Sequence, residues 1–184
     1  MSIARVVLFG LATLTTPFAA PASTQLAAGA IQSHSHLIES PSALVEQVRR
    51  ATEALRDVRQ ATAAGYAQFL GCVSGPQEGA MGVHFVNGTL VGDGAILASQ
   101  PEALIYEFRE GLARLVGVEY IVMADDWNRA HKEPPVLEGQ TFQFNSTPNR
   151  FGLPAFYELH VWAWRDNPKG TFADWNINVS CEGQ

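Results

Sequence analysis

The sequence predicts an α+β fold: a long N-terminal helix packed on a curved, mainly antiparallel sheet, with closure into a small barrel as one arrangement. Three observations carry that expectation. Residues 43–64 repeat apolar side chains at helical spacing. Residues 82–86, 112–123 and 156–164 alternate with the period of two that marks a strand. Residues 103–108 and 112–123 are joined only by Arg109-Glu110-Gly111, a connection that fits an antiparallel hairpin.

The chain has 184 residues, of which 47% are apolar, with four Trp and ten Phe. That content buries one good core and is too apolar for a disordered chain. Met1 to Arg5 is a short basic lead, and Val6 to Ala20 is an apolar run too short for a comfortable membrane span. Ala20-Pro21-Ala22 places small residues where a signal peptidase cleaves. Residues 1–22 therefore read as a secretory signal peptide, 23–39 as a flexible Ala-, Ser-, Thr- and Gln-rich segment, and 40–184 as a single α+β domain. The expected location is periplasmic or extracellular. Arg5 is the only charged residue of the leader, so its removal takes the net charge from −6 to −7. An acidic chain without a basic cluster excludes nucleic acid as a partner, and anionic membranes once the leader is gone.

In chain order, Ser40-Pro41-Ser42 opens the helix, with Ser as cap and Pro in the first turn. Leu44, Val45, Val48, Leu55 and Val58 form its apolar stripe, and it runs to about Ala64 before Gly65. Residues 71–82 are glycine-rich and read as a loop. Residues 82–86 form a short strand, and Asn87-Gly88 a turn. In the hairpin that follows, Val116, Val118, Tyr120 and Val122 share one face. Leu115, Gly117, Glu119, Ile121 and Met123 share the other, so this strand is covered on both sides. Residues 124–149 read as a surface excursion over a pocket, with a short strand near 141–144.

The segment FYELHVWAW, 156–164, carries the functional signal. Tyr157, Leu159, Val161 and Ala163 make an apolar face; Phe156, Glu158, His160, Trp162 and Trp164 make a face that mixes ionisable groups with aromatics. Two Trp beside Glu and His suit neither open water nor a plain core, and read as a pocket wall formed by Trp162 and Trp164. If strands 82–86, 112–123 and 156–164 share a sheet, His84, Glu119 and His160 project to one side. Two imidazoles and a carboxylate suit a divalent transition metal with positions left open. Glu158 is a possible fourth ligand or a support for one. Glu107 is excluded: with a three-residue turn the residue opposite Glu119 is near Pro101, about 20 Å along the strand from Glu107. It is expected to pair with Arg109 or Arg114. No spacing matches a recognised metal motif. A metal-free exported protein binding a small molecule through His160 and Glu119, or a structural, partner-binding domain, therefore stand as alternatives. Whether the protein is an enzyme, and its oligomeric state, are left open.

Cys72 and Cys181 are the only cysteines. In an oxidising compartment they pair, tying the C-terminus to the loop before the first strand; as metal thiolates they lack the close C-x-x-C spacing. The segments CVSGPQEGAMGVHFVN, PEALIYEF, LVGVEYIV and YELHVWAWRDNPKGTFADWNINVSC resemble an uncharacterised family of small secreted bacterial proteins. The resemblance spans about Ala51 to Cys181. It implies an exported bacterial protein with its two cysteines paired, and brings no activity, cofactor or catalytic residue.

Overall fold

The computed structural model describes residues 42–184. The expected signal peptide, the flexible segment 23–39 and the start of the helix at Ser40-Pro41 lie outside the described residues. The fold is α+β. Six strands form one antiparallel sheet in the order β1 (Ala67–Gly75), β2 (Gly79–Val86), β3 (Ala103–Arg109), β4 (Leu112–Met123), β8 (Phe156–Val161), β7 (Gln143–Asn145). The sheet curls into a half-barrel, and its edge strands β1 and β7 do not pair with each other, so the barrel does not close. A separate two-stranded ribbon, β5 (Val136–Leu137) and β6 (Gln140–Thr141), lies in the excursion between β4 and β7.

The helix is not long. The cap is Ser42, whose side chain accepts from Val45 N, and α1 (Ala43–Thr52) ends before a 3₁₀ turn at Ala54–Arg56 and α2 (Val58–Ala63). Tertiary hydrogen bonds break it. In a continuous helix the Leu55 carbonyl would accept from Arg59 N. Here that carbonyl accepts the Tyr106 hydroxyl from the sheet, and Arg59 N donates to Asp57 Oδ1, 2.9 Å away. Asp57 is extended, at φ −84° and ψ 112°, and caps α2. The apolar stripe survives the break: Leu44, Val45, Val48 and Ala61 are buried with Val83, Phe85, Leu104, Tyr106, Val118, Tyr120, Leu159 and Val161. Each large side chain so buried stabilises the fold by about 1.5–3 kcal/mol.

Other local readings also change. The glycine-rich stretch 71–82 is not a loop but most of a hairpin, β1 and β2, so Cys72 lies within a strand. Asn87-Gly88 does not turn a hairpin: Asn87 Oδ1 accepts from Thr89 N and Leu90 N and caps the short helix α3 (Gly88–Asp93). Arg109 pairs with Leu112, so β3 and β4 are joined by two residues, Glu110 and Gly111, both at positive φ. That twist suits a tight hairpin. A bulge between Ile105 and Tyr106 on β3 leaves Val116 as the extra residue of β4. Ala103, rather than Pro101, therefore lies opposite Glu119. The same bulge swaps faces at the start of β4: Leu115 joins the helix-side core, and Val116 packs with Ile105 and Trp162 on the other side. The segment 124–149 is more ordered than a surface excursion, holding α4 (Ala124–Ala130), the β5–β6 ribbon and the edge strand β7.

The face away from α1 and α2 is covered by the C-terminal tail, α3 and the loop before β8. Two small apolar clusters form there. Ala80, Ile105, Val116, Trp162 and Val179 make one; Ala103, Ile121 and Phe156, with Val91, Phe151 and Leu153, make the other. The tail is held at three points. Cys72 and Cys181 are bonded, with Cα atoms 5.6 Å apart. Ala80 and Asn176 form a backbone bridge. Fully buried Glu107 meets Arg165 at 2.6 Å and Arg109 at 3.1 Å, and accepts from Ser180 N at 3.0 Å. Its partner is thus Arg109, as expected, together with Arg165 and not Arg114.

Two outcomes follow from this tail. Protein denatured without reductant should show no free thiol, and reduction should cost up to about 4–5 kcal/mol, because the bridge closes a loop of 109 residues. Two titratable thiols in the purified protein would refute the pairing. Gly79 sits at φ +85° with its ideal Cβ 2.2 Å from the Asn176 carbonyl oxygen, so Gly79→Ala should lose about 3 kcal/mol or more in denaturant titration.

Candidate metal centre

Alternation along three strands brings the polar residues to the face away from the helices. Glu119 on β4 lies directly opposite His160 on β8, and Ile121 opposite Glu158. On the other side β3 separates β2 from β4, with Ala103 opposite Glu119 and Ile105 opposite His84. Ala103 contributes only a methyl group, which lets the longer side chains of His84 and Glu119 meet across β3. His84 Nε2 lies 3.3 Å from Glu119 Oε2. The His84 and His160 rings stand edge to face, with centroids 5.9 Å apart. One donor atom from each of His84, Glu119 and His160 falls within 4.8 Å of the others. Donor atoms around a tetrahedral zinc ion are about 3.3 Å apart, so the His84–Glu119 spacing already fits and the set needs only to draw in slightly.

Glu158, His160 and Asp174 form a second set with the same 4.8 Å limit, sharing His160 with the first. His160 Nδ1 is 3.8 Å from Asp174 Oδ1, and that oxygen accepts from Gln143 Nε2 at 2.6 Å. His160 is 1% exposed, yet neither of its ring nitrogens has a hydrogen-bond partner among the described residues. Glu158 Oε2 is likewise buried without one. A buried polar atom left unpaired costs about 1–3 kcal/mol, so these three atoms subtract from the stability of the fold.

Burial dominates the electrostatics. It lowers the pKa of His84 to about 4 and that of His160, with help from His84, to about 3. It holds Glu119 well above the usual carboxylate range, with the neighbouring Glu158 carboxylate as the next cause. Glu158 and Asp174 are also raised, chiefly by burial. At neutral pH both imidazoles are therefore in the neutral form that binds a metal.

The two Trp part company. Trp162 lies beside His160, with ring centroids 6.1 Å apart and planes 21° from parallel, and its Nε1 donates to the Ala173 carbonyl. Trp164 does not wall the donors' pocket but lines a separate cavity with Arg56 and Arg165, and Trp162 does not line the cavity at His84 and Glu119. β8 ends at Val161, and a backbone bond from Ala163 N to the Val161 carbonyl turns the chain. Trp164 then swings to the helix side, where its Nε1 donates to Thr52 Oγ1 and Arg56 stacks over its ring at 4.7 Å.

Sequence reasoning missed Asp174 and the apolar wall beside the donors. Asp174 lies in an irregular tail with no periodicity to point at it. It reaches His160 because Trp162 N bonds to the Thr171 carbonyl and Asn176 bridges to Ala80. The wall belongs to a cavity of about 320 Å³ in which, among the described residues, His84 and Glu119 are the only polar side chains. Phe156, on the mixed face of FYELHVWAW, was its one visible signal. No model of a known protein family matches the chain, and no curated protein or solved structure matches it either.

A further buried acid stands apart from both donor sets. Glu102 is 1% exposed and accepts from Ile121 N at 3.0 Å. Burial raises its pKa from 4.5 to about 8. The folded protein thus keeps this proton well above the pH at which the unfolded chain releases it. Its contribution to stability is full below about pH 4.5 and is lost as the pH rises toward 8. Chelator-treated protein should therefore lose stability between pH 5 and 9. Glu102→Gln should remove a few kcal/mol of that slope in denaturant titrations at the two pH values. An unchanged slope would mean that Glu102 is ionised in the fold.

Proposed function

We propose that this chain is an exported protein that binds one divalent transition-metal ion through His84, Glu119 and His160. Asp174, whose Oδ1 lies 3.8 Å from His160 Nδ1, would orient that ring once an ion draws the set together, and Glu158 stands beside Glu119 as a fourth donor or a support. The observation that carries the reading is His160: a buried imidazole without a hydrogen-bond partner, beside a second neutral imidazole and the Glu119 carboxyl, which would give up any proton it holds when an ion binds. Imidazole and carboxylate together suit borderline ions such as zinc. Such an ion would supply Lewis acidity to a molecule entering from the adjoining cavity, the arrangement a metal-dependent enzyme needs. Export is supported by the disulfide, a bond that persists in oxidising compartments. Among the described residues no helix is long and apolar enough to cross a membrane.

Metal content tests the proposal. Elemental analysis of the tag-free protein after reconstitution should find close to one equivalent. His160→Ala and His84→Ala should each hold less than about a tenth of an equivalent, while Glu102→Gln keeps the full amount. Asp174→Asn should keep the stoichiometry but weaken affinity about 10- to 100-fold, as loss of a group orienting a ligand histidine does. The ion should raise the melting temperature of the wild type and not of the two histidine variants. Metal retained in both histidine variants would put the site on other residues; none in the wild type would sink the reading.

A further inference from the structure

The cavity beside His84 and Glu119 is built as if for a particular kind of guest. Its volume, about 320 Å³, lies at the lower end of small-molecule sites. Its walls come from separate elements: Phe69 of β1, Val91 of α3, Ile121 of β4, and Phe151, Leu153 and Phe156 at the entry to β8. Every remaining lining residue is apolar or glycine, except His84 and Glu119. Among the described residues no Lys or Arg lines it.

Two features keep this space open. Between Phe69 and Val73 the β1–β2 register shifts, so β1 bows away from its partner beside the cavity. Leu70, at the crest of that bow, has φ 63° and is 48% exposed. On the opposite wall α3 presents Gly88 and Gly92, and a Cβ at either would meet no heavy atom within 4 Å. Glycine in a helix is unfavourable relative to alanine. Both glycines are exposed at the cavity's edge, so a larger side chain there meets no clash and comes to stand at the cavity.

We infer that this cavity binds an uncharged, mainly apolar small molecule with an aryl or branched-alkyl body of about ten to fifteen carbons and one hydroxyl or carbonyl head. The head meets the His84–Glu119 pair at the polar floor, and the body fills the apolar walls. A carboxylate or phosphate head is disfavoured because the protein offers it no cation in the cavity. The inference shares His84 and Glu119 with the proposed metal site but does not use His160, so the two can fail separately.

Fluorescence titration with the neutral probe 6-propionyl-2-dimethylaminonaphthalene, which has fifteen carbons and a carbonyl head, on chelator-treated protein, tests it. The wild type should bind one probe per chain, with a blue shift and saturation in the micromolar range. 4-Hydroxybiphenyl should displace the probe at least fivefold better than biphenyl, and 4-phenylbenzoate should be the poorest competitor. Gly92→Leu and Gly92→Trp should weaken the probe progressively, the larger by at least tenfold, without lowering the melting temperature. Should Gly92→Trp fail to fold, Gly92→Leu decides. His160→Ala should lose metal and keep the probe. Absence of saturable binding, equal competition by biphenyl and its hydroxyl derivative, or undiminished affinity in a folded Gly92 variant would each overturn the inference. Probe binding lost in protein that still takes up one metal would overturn this inference alone.

Discussion

The pairing of β4 with β8, with Glu119 opposite His160, is the constraint on which the rest of the molecule depends. A slip of one residue would turn Tyr157, Leu159 and Val161 out of the helix-side core and send Glu158 and His160 into it. Burying those groups against Leu44 and Val48 would cost far more than any local preference could offset. The apolar face of β8 thus selects the register, and the register delivers the donors. The bulge at Val116 belongs to the same device, since it sets the alignment of Glu119 with Ala103 on its other side.

That division of labour separates stability from chemistry. One face of the sheet buries a large continuous core under α1 and α2. The other carries two small apolar clusters with His84, Glu119, Glu158 and His160 among them, and is closed by a tail held through a disulfide and a buried ion pair. Unpaired buried polar atoms are tolerable there because the opposite face supplies the stability that they subtract.

The donors and the cavity are also one arrangement rather than two. His84 and Glu119 belong to both, while His160 and Asp174 lie behind them, away from the cavity wall. In the proposed arrangement a molecule lying along Phe69 and Phe156 would meet His84 and Glu119 at the cavity floor, where apolar walls strengthen polar contacts.

The sequence by itself determined the α+β class, the β3–β4 hairpin, the two faces of FYELHVWAW and the common side of His84, Glu119 and His160. Strict period-two alternation is a local property of the chain, and it holds wherever a strand runs without a bulge. What alternation cannot convey is where it stops or slips. The break of the helix was decided by Tyr106 taking the Leu55 carbonyl, a contact between residues far apart in sequence. The exchange of Leu115 and Val116 was decided by how β4 bulges at Val116 to pair with β3, and the place of Trp164 by its hydrogen bonds to Val116 and Thr52. Asp174 had no signal at all, because its place beside His160 comes from a tail pinned to β1 and β2 by Cys181 and Asn176. Period and residue type act over a few residues, whereas these four outcomes rest on hydrogen bonds and cross-links between distant segments, which only the tertiary structure brings into reach.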